Sequence, residues 1–186
     1  MSDVEQMVTV YHGVFSAPEQ HRQFAMLKAF ASDRENPVVI ELGGGDGIST
    51  VMFLSGGADV WSVDILDVRK DWTENYHFLK ADDLSLTAQE FLPSECDVLF
   101  IDSAHTRVHT LMELNLYGHR VRPGGVIVCH DTHFSQDGGE LPEPTGEVAD
   151  ALTEWCEANN LTWVDYPGSF GLGVVKIGEA DDSVRD

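Results

Sequence analysis

The chain has 186 residues, 42% of them hydrophobic, and carries 32 Asp and Glu against 11 Lys and Arg, a formal charge of −21. Length and composition fit one soluble domain with a full core, and the negative field weighs against nucleic-acid backbones and anionic membranes as partners. No apolar run approaches the ~20 residues that span a bilayer, and the opening Met-Ser-Asp-Val-Glu-Gln has neither the basic nor the apolar region of a secretory signal. Three scattered cysteines (Cys96, Cys129, Cys156) argue for a reducing cytoplasm and against a disulfide framework.

In chain order, residues 1–18 read as a lead-in, and Glu19 to Ala31 as an amphipathic helix with Phe24, Leu27 and Ala31 on one stripe. Asn36-Pro37 ends it. Val38 to Leu42 is a short, uniformly apolar strand interrupted by Glu41, the pattern of a strand buried on both faces. Gly43-Gly44-Gly45-Asp46-Gly47 then turns the chain, with Asp46 positioned to cap a helix through Leu54. Further strands are expected at Asp59 to Asp64, Tyr76 to Lys80, Cys96 to Ile101 and Val126 to Cys129. Helices are expected at Leu86 to Phe91, at Thr106 to Val121 with an apolar face that includes Val108, Met112 and Tyr117, and at Glu147 to Asn159. Arg122 to Gly125 reads as a sharp turn and Phe134 to Thr145 as a lid or substrate loop. Leu161 to Tyr166 and Gly171 to Ile177 are joined by too few residues for a parallel crossover, so they form an antiparallel hairpin. The alternation predicts an α/β fold, a Rossmann-like, seven-stranded, mostly parallel sheet with helices on both faces. The main domain spans 37–178, after an N-terminal segment 1–36 and before an acidic tail 179–186.

Strand, glycine turn and helix N-terminus make a nucleotide-type site. No Lys-Ser/Thr pair follows Gly47, so it is no P-loop, and Gly43, Gly45 and Gly47 lack the spacing of a dinucleotide fingerprint. The acid-x-G-x-G-x-G run from Glu41 resembles motif I of class I S-adenosylmethionine (SAM) methyltransferases. That resemblance implies a SAM site: Glu41 toward the ammonium, Gly43, Gly45 and Gly47 beside the cofactor, and Asp64 on the ribose diol. Ile65 would lie against adenine, and Asp82 or Asp83, with the choice open, on its amino group.

Strand ends carry ligands in open α/β sheets, and Asp102, His130 and Asp131 end the fourth and fifth strands. Two carboxylates with an imidazole suit a divalent cation, the His shifting preference from Mg²⁺ toward Mn²⁺ or Zn²⁺. His105 and His109, four residues apart, read as surface histidines. The stretch Phe100-Ile-Asp-Ser-Ala-His-Thr, with Pro-Gly-Gly-Val-Ile-Val-Cys-His-Asp-Thr beyond it, resembles the small methyltransferase 24 type and the cephalosporin hydroxylase and rhamnosyl O-methyltransferase-like group. It departs at His130, where hydroxylase-like members have Glu. The resemblance implies O-methylation of a small molecule, with Asp102, His130 and Asp131 holding Mg²⁺ or Mn²⁺, Asp102 also beside the cofactor, and His105 or else His133 as base. A metal-independent transferase and a non-catalytic SAM-binding module are the alternatives. A cytoplasmic enzyme, with no nucleic-acid or membrane partner and with apolar residues that allow a homodimer, completes the expectation.

Overall fold

The computed structural model describes residues 3–14, 17–67 and 72–179. All of the expected acidic tail except Glu179 lies outside them. One sheet contains seven strands: β1 Val38–Leu42, β2 Asp59–Asp64, β3 Tyr76–Lys80, β4 Cys96–Ile101, β5 Val121–His130, β6 Trp163–Tyr166 and β7 Leu172–Lys176. Their order is β3-β2-β1-β4-β5-β7-β6. The first five run parallel, and β7 is antiparallel to both β5 and β6. The chain winds outward from β1 through β2 to β3, then returns to place β4 on the other side of β1. This reversal opens a crevice at the carboxyl ends of β1 and β4, where ligands of such sheets bind.

The helices are α1 Asp3–Val14, α2 Pro18–Phe30, α3 Ile48–Ser55, α4 Leu86–Phe91, α5 Arg107–Tyr117 and α6 Glu147–Ala158. Strand alternation divides the core into two layers. Val39, Val51, Phe53 and Phe100 pack with Phe24 and Leu27 of α2 on one face. Ile40, Leu42, Leu99 and Ile127 pack with Leu114 of α5 and Leu152 of α6 on the other.

Four departures from the sequence reading have physical causes. The lead-in is largely helix: Val4 of α1 is buried in the α2–α3 layer, and the Tyr11 hydroxyl donates to the Asp46 carbonyl at 2.8 Å. Asp46 does not cap α3; Gly47 occupies that position with a left-handed φ of 82°, which a glycine adopts without strain. The expected turn at Arg122 to Gly125 is a bulge inside β5, where Val121 pairs with Cys96 but Val126 already pairs with Val98. On α5, Val108 and Met112 are exposed, while Thr110 and Glu113 are buried beside Leu114 and Tyr117. Glu113 turns inward because Ser103 Oγ donates to it there, as described below. No helix among the described residues is long and apolar enough to cross a membrane.

Candidate active site

The crevice has two lobes that meet at Gly43, Gly45 and Asp102. The larger, about 420 Å³, is lined by Asp64, Ile65, Leu66, Asp82, Asp83 and His109 among others. The smaller, about 270 Å³, is walled by Gln23 and Phe24 of α2, by His130, and by Phe170 and Leu172 at the β6–β7 turn.

The glycine loop is held from both sides. Gly43 donates to the Val63 carbonyl at 2.9 Å, and Asp102 donates its backbone N–H to Leu42 at 2.8 Å. Gly43 has φ 87°, and a Cβ built on it would stand 2.1 Å from the Asp102 carbonyl oxygen. Gly43→Ala is therefore expected to combine left-handed strain with a backbone clash. The cost is about 2–5 kcal/mol, read as a lower midpoint in denaturant unfolding; an unchanged midpoint would refute this account of the loop.

Asp64 points at the loop. One carboxylate oxygen accepts from the Gly45 N–H at 3.0 Å and the other from the Leu66 N–H at 2.7 Å. An ionised carboxylate has about four lone-pair sites, so capacity remains for two hydroxyl donors from the cavity. Ile65 and Leu66 are 68% and 63% exposed at the cavity edge. Exposed apolar side chains beside a polar cavity are suited to a flat ring. Asp82 accepts from the Leu84 N–H at 2.9 Å and lines the lobe; Asp83 lines it as well but commits its carboxylate to His109 at 2.8 Å.

Glu41 is placed differently from expectation. It is fully buried, and its two oxygens accept from Ser49 Oγ and Thr50 Oγ1, each at 2.7 Å. Leu42 faces one layer of the core, so Glu41 faces the other, toward α3, and it lines neither lobe. Burial, only partly offset by these hydroxyls, raises its pKa. Its role is to pin β1 to the first turn of α3, fixing the loop between them.

Asp102, His105, His130 and Asp131 form a closed ring. His105 Nε2 lies 3.1 Å from Asp102 and 3.0 Å from Asp131. His130 Nδ1 lies 3.5 Å from Asp102 and 3.0 Å from Asp131. Two of its members are backbone-strained: His105 has φ 49° and Asp131 φ 65°. Left-handed non-glycine residues persist where the surroundings over-determine them, commonly at functional sites. His105 is thus in the loop before α5 and not on the helix, which dissolves the four-residue helical spacing to His109. His109 is itself half-buried at the cavity wall, where it pairs with the buried Asp83.

The ring fixes its own protonation. Hydrogen bonds to Asp102 and Asp131 raise His105 to about 9. Burial opposes the charge on His130, but the two carboxylates outweigh it and raise that group to about 10. Burial likewise pushes Asp102 and Asp131 up, and the two imidazoles outweigh it and hold both below the ordinary value. Both histidines have folded values above their unfolded ~6.5, so their stabilisation is full below about pH 6.5 and is lost as pH rises through 9 and 10. The aspartates' stabilisation is present above about pH 4 and lost as pH falls below it. With chelator present, the thermal midpoint should fall by several degrees between pH 6.5 and 10, since ~1 kcal/mol moves it by roughly 2–4 °C. His130→Asn should flatten that limb; an unaltered limb would contradict the pairing.

Asp102, His105 and Asp131 each present a ligand atom within 4.8 Å of the others. That donor set fits a dication, with His105 in the place the sequence assigned to His130, which pairs with Asp131 and walls the smaller lobe. His133 does not reach the crevice. It is 2% exposed, its Nδ1 is 2.9 Å from the Leu141 carbonyl and its Nε2 is 3.1 Å from Asp165. With both nitrogens engaged, it ties the 134–141 loop to β6 and is not placed as a base. An aromatic wall escaped the sequence reading: Phe170 packs on Phe134, and Phe134 on His105, with ring centroids 5.9 and 5.4 Å apart.

The comparisons agree with this architecture. A family model described as a methyltransferase domain, Methyltransf_24, matches residues 40–132, half of the chain. No curated protein matches in sequence. Among solved structures, MycE methyltransferase from the mycinamycin biosynthetic pathway, in complex with Mg and SAH, is 18% identical over 86% of this chain and 50% of its own, with a TM-score of 0.62. This chain therefore spans about half the length of that relative. The SAH-bound Podospora anserina methyltransferase PaMTH1 is 15% identical, covering 96% of this chain and 89% of that one at a TM-score of 0.64. Burkholderia thailandensis 1,6-didemethyltoxoflavin-N1-methyltransferase is 18% identical, covering 95% and 87% at 0.62. At these identities the structural likeness shows the fold, a Rossmann-like methyltransferase sheet, and the family match shows the rest: the chain belongs to the Methyltransf_24 methyltransferase-domain family, among the class I SAM-dependent methyltransferases.

Proposed function

We propose that the protein transfers the methyl group of SAM to a hydroxyl of a small molecule. The observation that carries this reading is the meeting of Asp64, the Gly43–Gly47 loop and Asp102 around one two-lobed crevice. Adenosine occupies the larger lobe, its ribose hydroxyls donating to Asp64 and its base lying along Ile65 and Leu66. Asp82, whose carboxylate is less committed than that of Asp83, takes the adenine amino group. The methionine part passes Gly43 and Gly45, which lack side chains to obstruct it, and the acceptor enters the smaller lobe between α2 and Phe170.

Methyl transfer is an in-line displacement that gains chiefly from positioning. Gln23 holds the Phe170 turn by donating to the Gly168 carbonyl at 2.8 Å, so α2 and the β6–β7 turn define one wall together. Phe134 and Phe170 exclude water from the approach to His105. In the ion-free site the acceptor proton passes to His105, which has first to shed its own, so transfer quickens as pH rises toward 9. A dication held by Asp102, His105 and Asp131 would supply Lewis-acid activation of the acceptor hydroxyl.

A metal-independent transferase is the second reading, favoured by one observation. Two imidazolium groups already balance two carboxylates in the ring, so the site is charge-neutral without an ion. Methyl transfer from radiolabelled SAM to a panel of phenols, sugars and hydroxylated macrocycles, with chelator or with added Mn²⁺ or Mg²⁺, tests both. Labelled methyl ether only with the ion supports the first, and equal label in chelator the second. No label in any acceptor would contradict the proposed activity.

A further inference from the structure

The inward face of α5 holds a second polar cluster, separate from the ring. Asp83, His109 and Glu113 each offer a ligand atom within 4.8 Å of the others. Glu113 is 0% exposed and Asp83 7%. Ser103 Oγ donates to Glu113 Oε1 at 2.7 Å, and Glu113 Oε2 has no hydrogen-bond partner among the described residues. Among the described residues, no Lys or Arg pairs with either carboxylate; the imidazole in ion-pair range of both is His109, 2.8 Å from Asp83 and 3.9 Å from Glu113, while His105 of the ring acts on Glu113 from farther off. Two buried carboxylates facing one imidazole leave negative charge uncompensated, which a low-dielectric site does not tolerate. Something positive has to enter: a proton or a metal ion.

We propose that Asp83, His109 and Glu113 bind a zinc-class transition-metal dication at the wall of the larger lobe. Donors bound to one ion at ~2.1 Å stand roughly 3–3.5 Å apart, so the observed spacings need only a small closure. An entry path exists, because Asp83 and His109 line the cavity, which leaves an open coordination position toward it. One imidazole with two carboxylates suits Zn²⁺ or Mn²⁺. Mg²⁺ is disfavoured because it keeps several waters, and the fully buried Glu113 leaves them little room. Ser103 would orient the Glu113 carboxylate, as hydrogen bonds to ligating carboxylates do. The ion would lock α5 to the end of β3 and stiffen the cavity wall. The rival filling is one proton shared by the carboxyls. Burial raises both of them, Glu113 well above its ordinary value and further through Asp83.

Calorimetry and elemental analysis of the tag-free protein with ZnCl₂, at a salt concentration that suppresses surface binding, decide between the two. Glu113→Gln keeps the shape and removes the charge. It should lose one zinc equivalent, in the wild-type background and in Asp131→Asn alike. The second background removes a ligand of the ring, so the Asp131→Asn result reports on the ring and the Glu113→Gln result on this cluster. Zn²⁺ should raise the thermal midpoint of Asp131→Asn and not of the double variant. Should Glu113→Gln fail to fold, His109→Asn, altered at a partly exposed position, should lose the same equivalent. Unchanged zinc stoichiometry in a folded Glu113→Gln or His109→Asn would overturn the proposal in favour of the shared proton. One equivalent of Mg²⁺ bound as tightly as Zn²⁺ would overturn the assignment of the ion.

Discussion

Asp64→Ala should weaken S-adenosylhomocysteine binding by about 100-fold or more while leaving the chain folded. Its carboxylate touches both the glycine loop, at Gly45, and the start of the apolar edge, at Leu66. A hydrogen bond to a charged group contributes about 1.5–3 kcal/mol, and each 1.4 kcal/mol is tenfold in affinity. Losing two ribose contacts therefore exceeds a hundredfold before the loop is considered. The loop adds to this, because Gly45 is exposed and, among the described residues, no other side chain bonds to it. Asp64 is itself partly exposed at the strand end, so the fold loses little. Asn at this position should recover part of the affinity, since its amide oxygen still accepts. Affinity within threefold of wild type in Asp64→Ala would remove the ribose assignment.

Asp102→Asn should reduce the turnover rate by about 10²–10⁴-fold, the range for removing acid–base support, with a much smaller effect on cofactor affinity. Asp102 borders both lobes and contacts both ring histidines. The amide keeps the shape but withdraws one of the two charges that raise His105 and His130. Both pKa values should move down toward 6.5, and the pH–rate profile with them. A donor of the dication set is lost as well. A purely structural Asp102 would instead lower stability and leave the pH profile unmoved. Turnover should be measured at saturating SAM on any acceptor found active; a change below fivefold would exclude Asp102 from the transfer step.

The parts of this molecule legible in its sequence are those set by short-range patterning. β1 to β4 are short runs rich in apolar and aromatic residues, and their limits coincide with the expectation residue for residue. The C-terminal hairpin followed from connection length alone. Asp64 and Asp102 were placed correctly at strand ends because the parallel sheet brings those ends together. What stayed hidden depends on which way a side chain turns. Glu41 lies in the motif, yet strand alternation points it at Ser49 and Thr50 and not at the crevice. His133 lies three residues past His130, the last residue of β5, but the chain folds over it at Leu141 and Asp165. The inward face of α5 was misread because a buried Glu carries no apolar signal. The His109–Glu113 pair, four apart on one helix face, was the available clue. Phe134 and Phe170 meet only through the 134–141 loop and the left-handed turn at 168–171, whose four consecutive positive φ values no periodicity announces.

The most direct test of the central claim is calorimetric titration of the wild-type protein with S-adenosylhomocysteine, with NAD⁺ as the control. The site described here predicts one equivalent bound at about micromolar affinity and no heat from NAD⁺. A carboxylate and a side-chain-free loop accommodate a ligand with a ribose diol and an ammonium, and they disfavour a pyrophosphate. Binding of NAD⁺ without S-adenosylhomocysteine, or of neither, would contradict the assignment of the crevice.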